Sequence, residues 1–135
     1  MIPPRWETPR DIDQKKILPA HKCFDDALDT LVMLAKDPNE HMKVGMGIWK
    51  LAHGICLNEH TKEPYSHAWV EGPDTVWECG IYEGRYLSFE WCKKDFYKER
   101  AVQEATKYTY YQAYQENHKH VNYGPWIKKY RELCK

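Results

Sequence analysis

The sequence predicts an α+β fold, in which a helix near the amino end precedes an antiparallel sheet and further helices follow it. Apolar residues recur at helical spacing over residues 23–36, whereas apolar and polar residues alternate over 65–71 and again over 76–81. A length of 135 residues suits one hydrophobic core. We therefore expect a single domain over 1–135, in which the proline-rich residues 1–20 form an extended amino-terminal arm.

The first helix is predicted from about Cys23 to Lys36. Its apolar face contains Ala27 and Leu31, and two aspartates suit the positive end of the helix dipole in the first turn. The helix should end at residues 37–39, Asp-Pro-Asn, because a proline and its neighbours rarely continue a helix.

Four runs of residues predict strands. Residues 43–57 are apolar and glycine-interrupted, and their alternation changes phase near Ile48, which indicates a bulged or bent strand. Residues 65–71 and 76–81 flank turn-forming residues and predict a hairpin. Residues 85–89 follow a Glu-Gly turn and should extend the same sheet.

Helices are predicted again after the sheet. Residues 91–100 have a helical pattern, and the stretch that follows, up to Tyr108, is ambiguous. Thr109 and Gln112 have the spacing of a capping box, so a helix should begin there and run to about His118. Pro125 suits the first position of a short last helix.

The composition argues against several classes of function. Lys plus Arg and Asp plus Glu number 20 each, so the overall charge gives no support to a nucleic-acid or anionic-membrane binder. The longest aliphatic run, Leu31 to Ala35, is far too short to cross a bilayer. The first residues lack the apolar stretch of a secretory signal, and five cysteines show no paired spacing. We therefore expect a cytoplasmic protein with free thiols.

Cys23 is the candidate nucleophile. It opens a predicted helix, where unpaired backbone N–H groups and the helix dipole favour thiolate over thiol. Lysine and aspartate neighbours act in opposite directions, so the sequence leaves the net pKa shift open. An isolated cysteine in this register is also compatible with a small apolar residue facing the core.

The hairpin suggests partners for this thiol. With a four-residue loop over 72–75, Glu71 faces Val76, and His67 and Glu78 then lie on one face of the sheet as diagonal neighbours. A carboxylate at Glu78 could hold one nitrogen of the imidazole and leave the other free to accept a proton.

These features together resemble the papain-like and transglutaminase-like superfamily of cysteine enzymes, and within it small uncharacterised phage and bacterial proteins. The matching segments, in chain order, are CFDDA (23–27), VGMGI (44–48), HAWVE (67–71), TYYQAY (109–114) and YGPW (123–126). Two positions depart from the pattern: Glu78-Cys79-Gly80 stands where such proteins usually have Asp-Pro-Thr, and Asp26 stands where Asn is common.

The resemblance implies a papain-like core and a Cys23–His67–Glu78 triad. Such an enzyme attacks an amide or ester of a protein or peptide through a thioester, as a peptidase, deamidase or transglutaminase, and needs no cofactor or metal. The Cys23 backbone N–H would be one oxyanion donor, and Gln14 or His21 are candidates for the second.

Three alternatives stay open. The chain could be a non-catalytic binding protein that keeps the papain-like shell, such as a phage protein acting on a host partner. His53, Cys56, His67 and Cys79 could in principle bind zinc, although His53 and Cys56 should point to opposite faces of a regular strand. The many aromatic residues could line a groove for single-stranded nucleic acid, but no basic stripe accompanies them.

Overall fold

An antiparallel sheet of six strands organises the residues that the computed structural model describes, 13–20 and 22–134. The strands are β1 (Leu18–Pro19), β2 (Lys50–Leu57), β3 (Pro64–Glu71), β4 (Thr75–Tyr82), β5 (Arg85–Cys92) and β6 (Glu104–Tyr108). Their order is β1-β4-β3-β2-β6, and β5 pairs with β4 along its whole length. Strands β1 and β3 must therefore share the other edge of β4.

Helices cover both faces of this sheet. They are α1 (Cys23–Lys36), α2 (His41–Gly45), α3 (Lys93–Glu99), α4 (Tyr110–His120) and α5 (Lys128–Arg131), and a short 3-10 turn spans Gln14–Lys16. On one face α1 packs through residues such as Leu31 against Ala68 and Val70 of β3. On the other face Phe96 of α3 packs against Trp69. The protein is thus an α+β structure with the sheet as its middle layer.

Helix α1 has the bounds that the sequence predicts, whereas the strand predicted over 43–57 is wrong in its first half. Residues 41–45 form α2, which buries Val44 in the core beside α1. Gly47 then adopts a positive φ of 75°, and β2 begins only at Lys50. In this one-turn helix Val44 is buried between two exposed neighbours. A buried residue between exposed ones is also the pattern of a strand, which explains the wrong prediction.

The later elements shift by a few residues from their predicted places. Strand β5 continues to Cys92 because Trp91 pairs with Val76, so α3 starts after the predicted position. The ambiguous residues before Tyr108 form β6 at the edge of the sheet. The capping box at the start of α4 is confirmed, since the Gln112 N–H donates to Thr109 Oγ1 at 3.2 Å. Pro125 does not open a helix, because α5 starts at Lys128.

The last residues of the predicted amino-terminal arm join the sheet. Leu18 and Pro19 pair with Ile81 and Gly80 of β4, and residues 1–12 lie outside the described part of the chain. A Cβ on Gly80 would lie 2.8 Å from Ile17 Cγ2 and 2.9 Å from the Leu18 carbonyl oxygen. This close approach of two backbones explains why glycine occupies position 80.

Strands β3 and β4 separate at one end of the sheet. They pair only through Val70–Trp77 and Glu71–Val76, after which β1 takes the place of β3 beside β4. Residues 65–68 of β3 therefore face an opening instead of a neighbouring strand on that side. At Ser66 the carbonyl of Leu133 supplies the missing acceptor, at 3.4 Å from the Ser66 nitrogen. This opening between β3 and β4 positions the candidate site.

Candidate active site at the opening between two strands

Cys23 lies at the opening, as the first residue of α1. Its side chain is 6 % exposed, and its sulfur accepts a hydrogen bond from the backbone N–H of Ala68, one residue after the candidate base. The thiol thus occupies the position that a neighbouring strand would hold in a continuous sheet. Burial raises the pKa of the Cys23 thiol well above its usual range, although the Ala68 N–H opposes the shift.

The sequence leaves the net pKa shift of Cys23 open, and in the structure burial decides its direction. Burial is the largest influence on this pKa, because it penalises a charged sulfur where solvent is excluded. Cys23 is therefore a thiol in the resting protein. A base must remove its proton during any reaction.

His67 and Glu78 are in contact, as expected from the hairpin, although β3 and β4 do not pair at these two residues. The pairing of Glu71 with Val76 is confirmed, and His67 Nε2 lies 2.5 Å from Glu78 Oε2. The two side chains are 1 % and 0 % exposed. The His67 ring also stacks on Phe96, with ring centroids 6.3 Å apart and planes inclined by 22°. Helix α3 therefore holds the ring from the side of the sheet opposite to α1.

Arg100 completes this cluster, and sequence reasoning did not identify it. Its Nε donates to Glu78 Oε2 at 2.8 Å and its Nη2 donates to Oε1 at 2.6 Å. Nη2 also donates to the Ile17 carbonyl at 2.9 Å. Arg100 follows α3 directly, in a stretch of mixed charge, and no motif or spacing there distinguishes it from a surface residue.

The charges decide which nitrogen of His67 carries the proton. Burial alone would raise the pKa of Glu78, but the Arg100 charge and the His67 hydrogen bond outweigh it and lower the pKa to about 2. An ionised carboxylate only accepts hydrogen bonds, so Nε2 of His67 must donate to it. In the neutral ring Nδ1 then carries a lone pair. Nδ1 is buried and has no hydrogen-bond partner in the described part of the chain.

A pocket of about 420 Å³ brings these groups to one space. Cys23, His67 and Arg100 line it, and Ala20, Leu133 and Cys134 contribute to its wall. Cys23 reaches the pocket from the α1 side of the sheet and His67 from the α3 side, since Cys23 packs with Ala68 and His67 packs with Trp69 and Phe96. The opening between β3 and β4 is what allows both side chains to line one pocket.

The two candidates for a second oxyanion donor receive no support. Gln14 Nε2 donates to the Glu90 carbonyl of β5 at 3.1 Å, so it is engaged there. His21 lies outside the described residues. The Cys23 backbone N–H, at the start of α1, remains the one candidate with a defined place.

Asp26, the second position that departs from the resembled motif, is buried one helical turn after Cys23. It is 2 % exposed, and its Oδ2 has no hydrogen-bond partner among the residues described. Burial, followed by the charges of Asp25 and Asp29, raises its pKa to about 6. Ionisation of this carboxyl is therefore disfavoured, whereas an amide at this position would carry no charge.

The structure separates the residues of the zinc alternative. His53 contacts Phe24 of α1 and Cys79 contacts Thr30 of α1, whereas Cys56 and His67 lie with Trp69 on the other face. No group of three or more His, Cys, Asp or Glu side chains within residues 13–20 and 22–134 could hold a metal ion. In the same residues, no helix has the length and apolar character needed to cross a bilayer.

Comparisons with known proteins do not identify the chain. Comparison of the chain with protein-family models, with curated proteins and with solved structures found no match. The resemblance to papain-like and transglutaminase-like enzymes rests on the motifs alone. The function must therefore be argued from the geometry of the Cys23 pocket.

Proposed function

We propose that the protein is a cysteine-dependent acyl-transfer enzyme in which Cys23 is the nucleophile, His67 the general base and Glu78 the residue that orients the base. One observation carries the proposal. His67 is held through Nε2 by a carboxylate, and its Nδ1, buried and without a partner in the described residues, belongs to a ring that lines the same pocket as Cys23. A nucleophile, a base and an orienting group in this order are what acyl transfer requires.

The reaction would start from a thiol, because burial keeps the Cys23 proton in place. As Sγ forms a bond to the carbonyl carbon of a peptide amide or ester, the S–H proton passes to His67 Nδ1 and the carbonyl π electrons move to oxygen. When this intermediate collapses, the C–N or C–O bond breaks and His67 returns the proton to the leaving group, which produces a thioester.

The second half of the reaction repeats these steps with a new acceptor. Water or an amine attacks the thioester carbon while His67 takes its proton, and the sulfur leaves as the Cys23 thiol. Water would make the protein a peptidase or deamidase, and an amine would make it a transferase. Among the described residues His67 Nδ1 has no hydrogen-bond partner, so it is not bonded to Cys23 Sγ, and such contacts commonly tighten only with substrate bound.

A binding module without catalysis is the second candidate, and one observation favours it. The Glu78 charge is matched by Arg100, and the two side chains are only 0 % and 8 % exposed. A buried ion pair of this kind can serve fold specificity alone. In that case the pocket would bind a partner protein and Cys23 would only pack against Ala68.

A peptide that ends in an electrophilic vinyl sulfone distinguishes the two candidates. The wild-type protein is incubated with the probe, and the modified cysteines are mapped by mass spectrometry. We expect labelling of Cys23 that disappears in His67→Ala, because only the base makes this thiol nucleophilic. Cys79→Ser is the matched control, since that thiol is equally buried, at 7 % exposure, and bonds to Thr30 and Ser88 instead.

The outcome decides between enzyme and binding module. Labelling of Cys23 that survives His67→Ala would remove His67 as the base. An unmodified Cys23 beside modified Cys92 and Cys134, the two exposed thiols, would refute the proposal and support the binding module.

A further inference from the structure

We infer that Arg100 is a positioning residue of this site: its bidentate contact with Glu78 sets the His67 tautomer and so keeps Nδ1 available as the base. This inference rests on the proposed function for its catalytic meaning. Its structural content, the state of one imidazole ring, can be measured without any activity.

The first step of the argument is the geometry of the contact between Arg100 and Glu78. Glu78 Oε2 accepts from both His67 Nε2 and Arg100 Nε, while Oε1 accepts from Arg100 Nη2. The planar fork of a guanidinium matches a carboxylate through two parallel bonds, which fixes the carboxylate plane as well as its position. Oε2 is thereby directed at the imidazole of His67.

The second step concerns the charge of Glu78. A buried carboxylate with no cation beside it takes up a proton, and a protonated carboxyl can donate to a neighbour as well as accept from it. Glu78 would then be able to pair with either tautomer of His67. With Arg100 in place the carboxylate stays an acceptor, so only the tautomer with the proton on Nε2 fits.

The third step concerns how Arg100 itself is held. Its Nη2 donates to the Ile17 carbonyl, and its guanidinium lies 5.3 Å from the ring centroid of Trp91 in β5. These contacts join the segment before β1 and the edge strand β5 to the Glu78 carboxylate. A lysine has the charge but lacks the fork, so it cannot make these contacts together.

Nuclear magnetic resonance of ring-¹⁵N-labelled histidine tests the inference on the intact protein. Long-range proton–nitrogen spectra distinguish a protonated ring nitrogen from a bare one, and His67→Ala identifies the His67 signals. We expect wild-type His67 to carry a proton on Nε2 and none on Nδ1. In Arg100→Lys and Arg100→Gln we expect a mixture of both tautomers.

The same variants should label more slowly with the vinyl sulfone peptide. A loss of about 10-fold to 100-fold in the Cys23 labelling rate is expected, within the roughly 100-fold to 10,000-fold that a positioned base contributes. Arg85→Lys is the matched control, because Arg85 is exposed at the start of β5, beyond the β4–β5 turn. This variant should keep both the tautomer and the rate.

Two results would overturn the inference: a proton on Nδ1 of His67 in the wild type, or an unchanged Nε2–H tautomer in folded Arg100→Lys and Arg100→Gln. If neither variant folds, the wild-type spectrum still decides, since a proton on Nε2 together with a slowly exchanging Arg100 Nε–H supports the inference. A wild-type Cys23 that never labels, beside a tautomer that depends on Arg100, would refute the acyl-transfer proposal alone.

Discussion

Replacing Glu78 by glutamine should destabilise the protein strongly, because Arg100 depends on the Glu78 charge. If the contact with Arg100 is ignored, only a small change in stability is expected, since the amide keeps the shape of the side chain and His67 keeps an acceptor. The structure shows a guanidinium 8 % exposed whose two bonds to Glu78 measure 2.6 and 2.8 Å. In Glu78→Gln this cation would remain buried without a counter-charge.

The expected loss follows from that arrangement. Removing one partner of a buried ion pair costs about 3–5 kcal/mol. For a domain of this size, such a loss lowers the melting temperature by about 10–20 °C. Thermal and urea unfolding at neutral pH would measure it, with Asp74→Asn as the matched control, since Asp74 is exposed in the hairpin turn. That control should unfold within about 0.5 kcal/mol of the wild type.

A double variant isolates the role of Arg100. If the cost comes from the unpaired guanidinium, Glu78→Gln combined with Arg100→Gln should be less destabilised than the sum of the two single variants. A Glu78→Gln protein within about 1 kcal/mol of the wild type would refute the reasoning. In acid, the wild type should lose this contribution as the pH falls from the unfolded glutamate pKa toward about 2, because the folded pKa of Glu78 is lowered.

Three further changes test other parts of the structure. Asp26→Asn should stabilise the protein by about 1–2 kcal/mol at neutral pH. The folded pKa of Asp26 is raised to about 6, so the wild type loses stability as the pH rises from about 4 to about 6, and the variant should lack this loss. Asp25→Asn is the control and should show neither effect. His53→Leu should reduce the loss of stability that the protein shows below about pH 6.5. Burial lowers the pKa of His53 to about 3, so protonation of this histidine favours the unfolded state. Urea titrations at several pH values would contradict this if the variant were as sensitive to acid as the wild type. Gly80→Ala should lower the free energy of unfolding by about 1–3 kcal/mol, because the new Cβ would meet Ile17 and the Leu18 carbonyl. Gly45→Ala is the control: its Cβ would lie in open space, so this change should be neutral or stabilising.

The elements that local patterns determine could be predicted from the sequence. Helix α1 has an apolar face, acidic residues in its first turn and a proline at its end, and both of its bounds are as predicted. The hairpin register follows from turn length alone, which is why the contact between His67 and Glu78 could be anticipated. Helix α2 could not, because burial of Val44 against α1 depends on tertiary packing that a five-residue pattern does not reveal.

The electrostatics of the site needed the structure. A helix terminus favours a thiolate at Cys23, but the sequence leaves the net pKa shift open, because that shift depends on how deeply the fold buries the sulfur. Arg100 reaches Glu78 across 22 positions of the chain, and a single arginine carries no periodicity that would indicate such a contact. The sequence therefore predicts which residues could react, and the fold decides which charges accompany them.

The opening between β3 and β4 also makes the site depend on long-range contacts. Its walls come from segments far apart in the chain: Leu18 pairs with Ile81, Arg100 bonds to Ile17, and Ser66 bonds to Tyr130 and Leu133. Contacts between distant segments cost more conformational entropy than local ones, so we expect them to form after the local helices and hairpins. A nascent chain can thus hold α1 and the β3–β4 hairpin while its pocket still lacks a wall. The thiol of Cys23 would meet its finished surroundings only once residue 133 has been synthesised and docked.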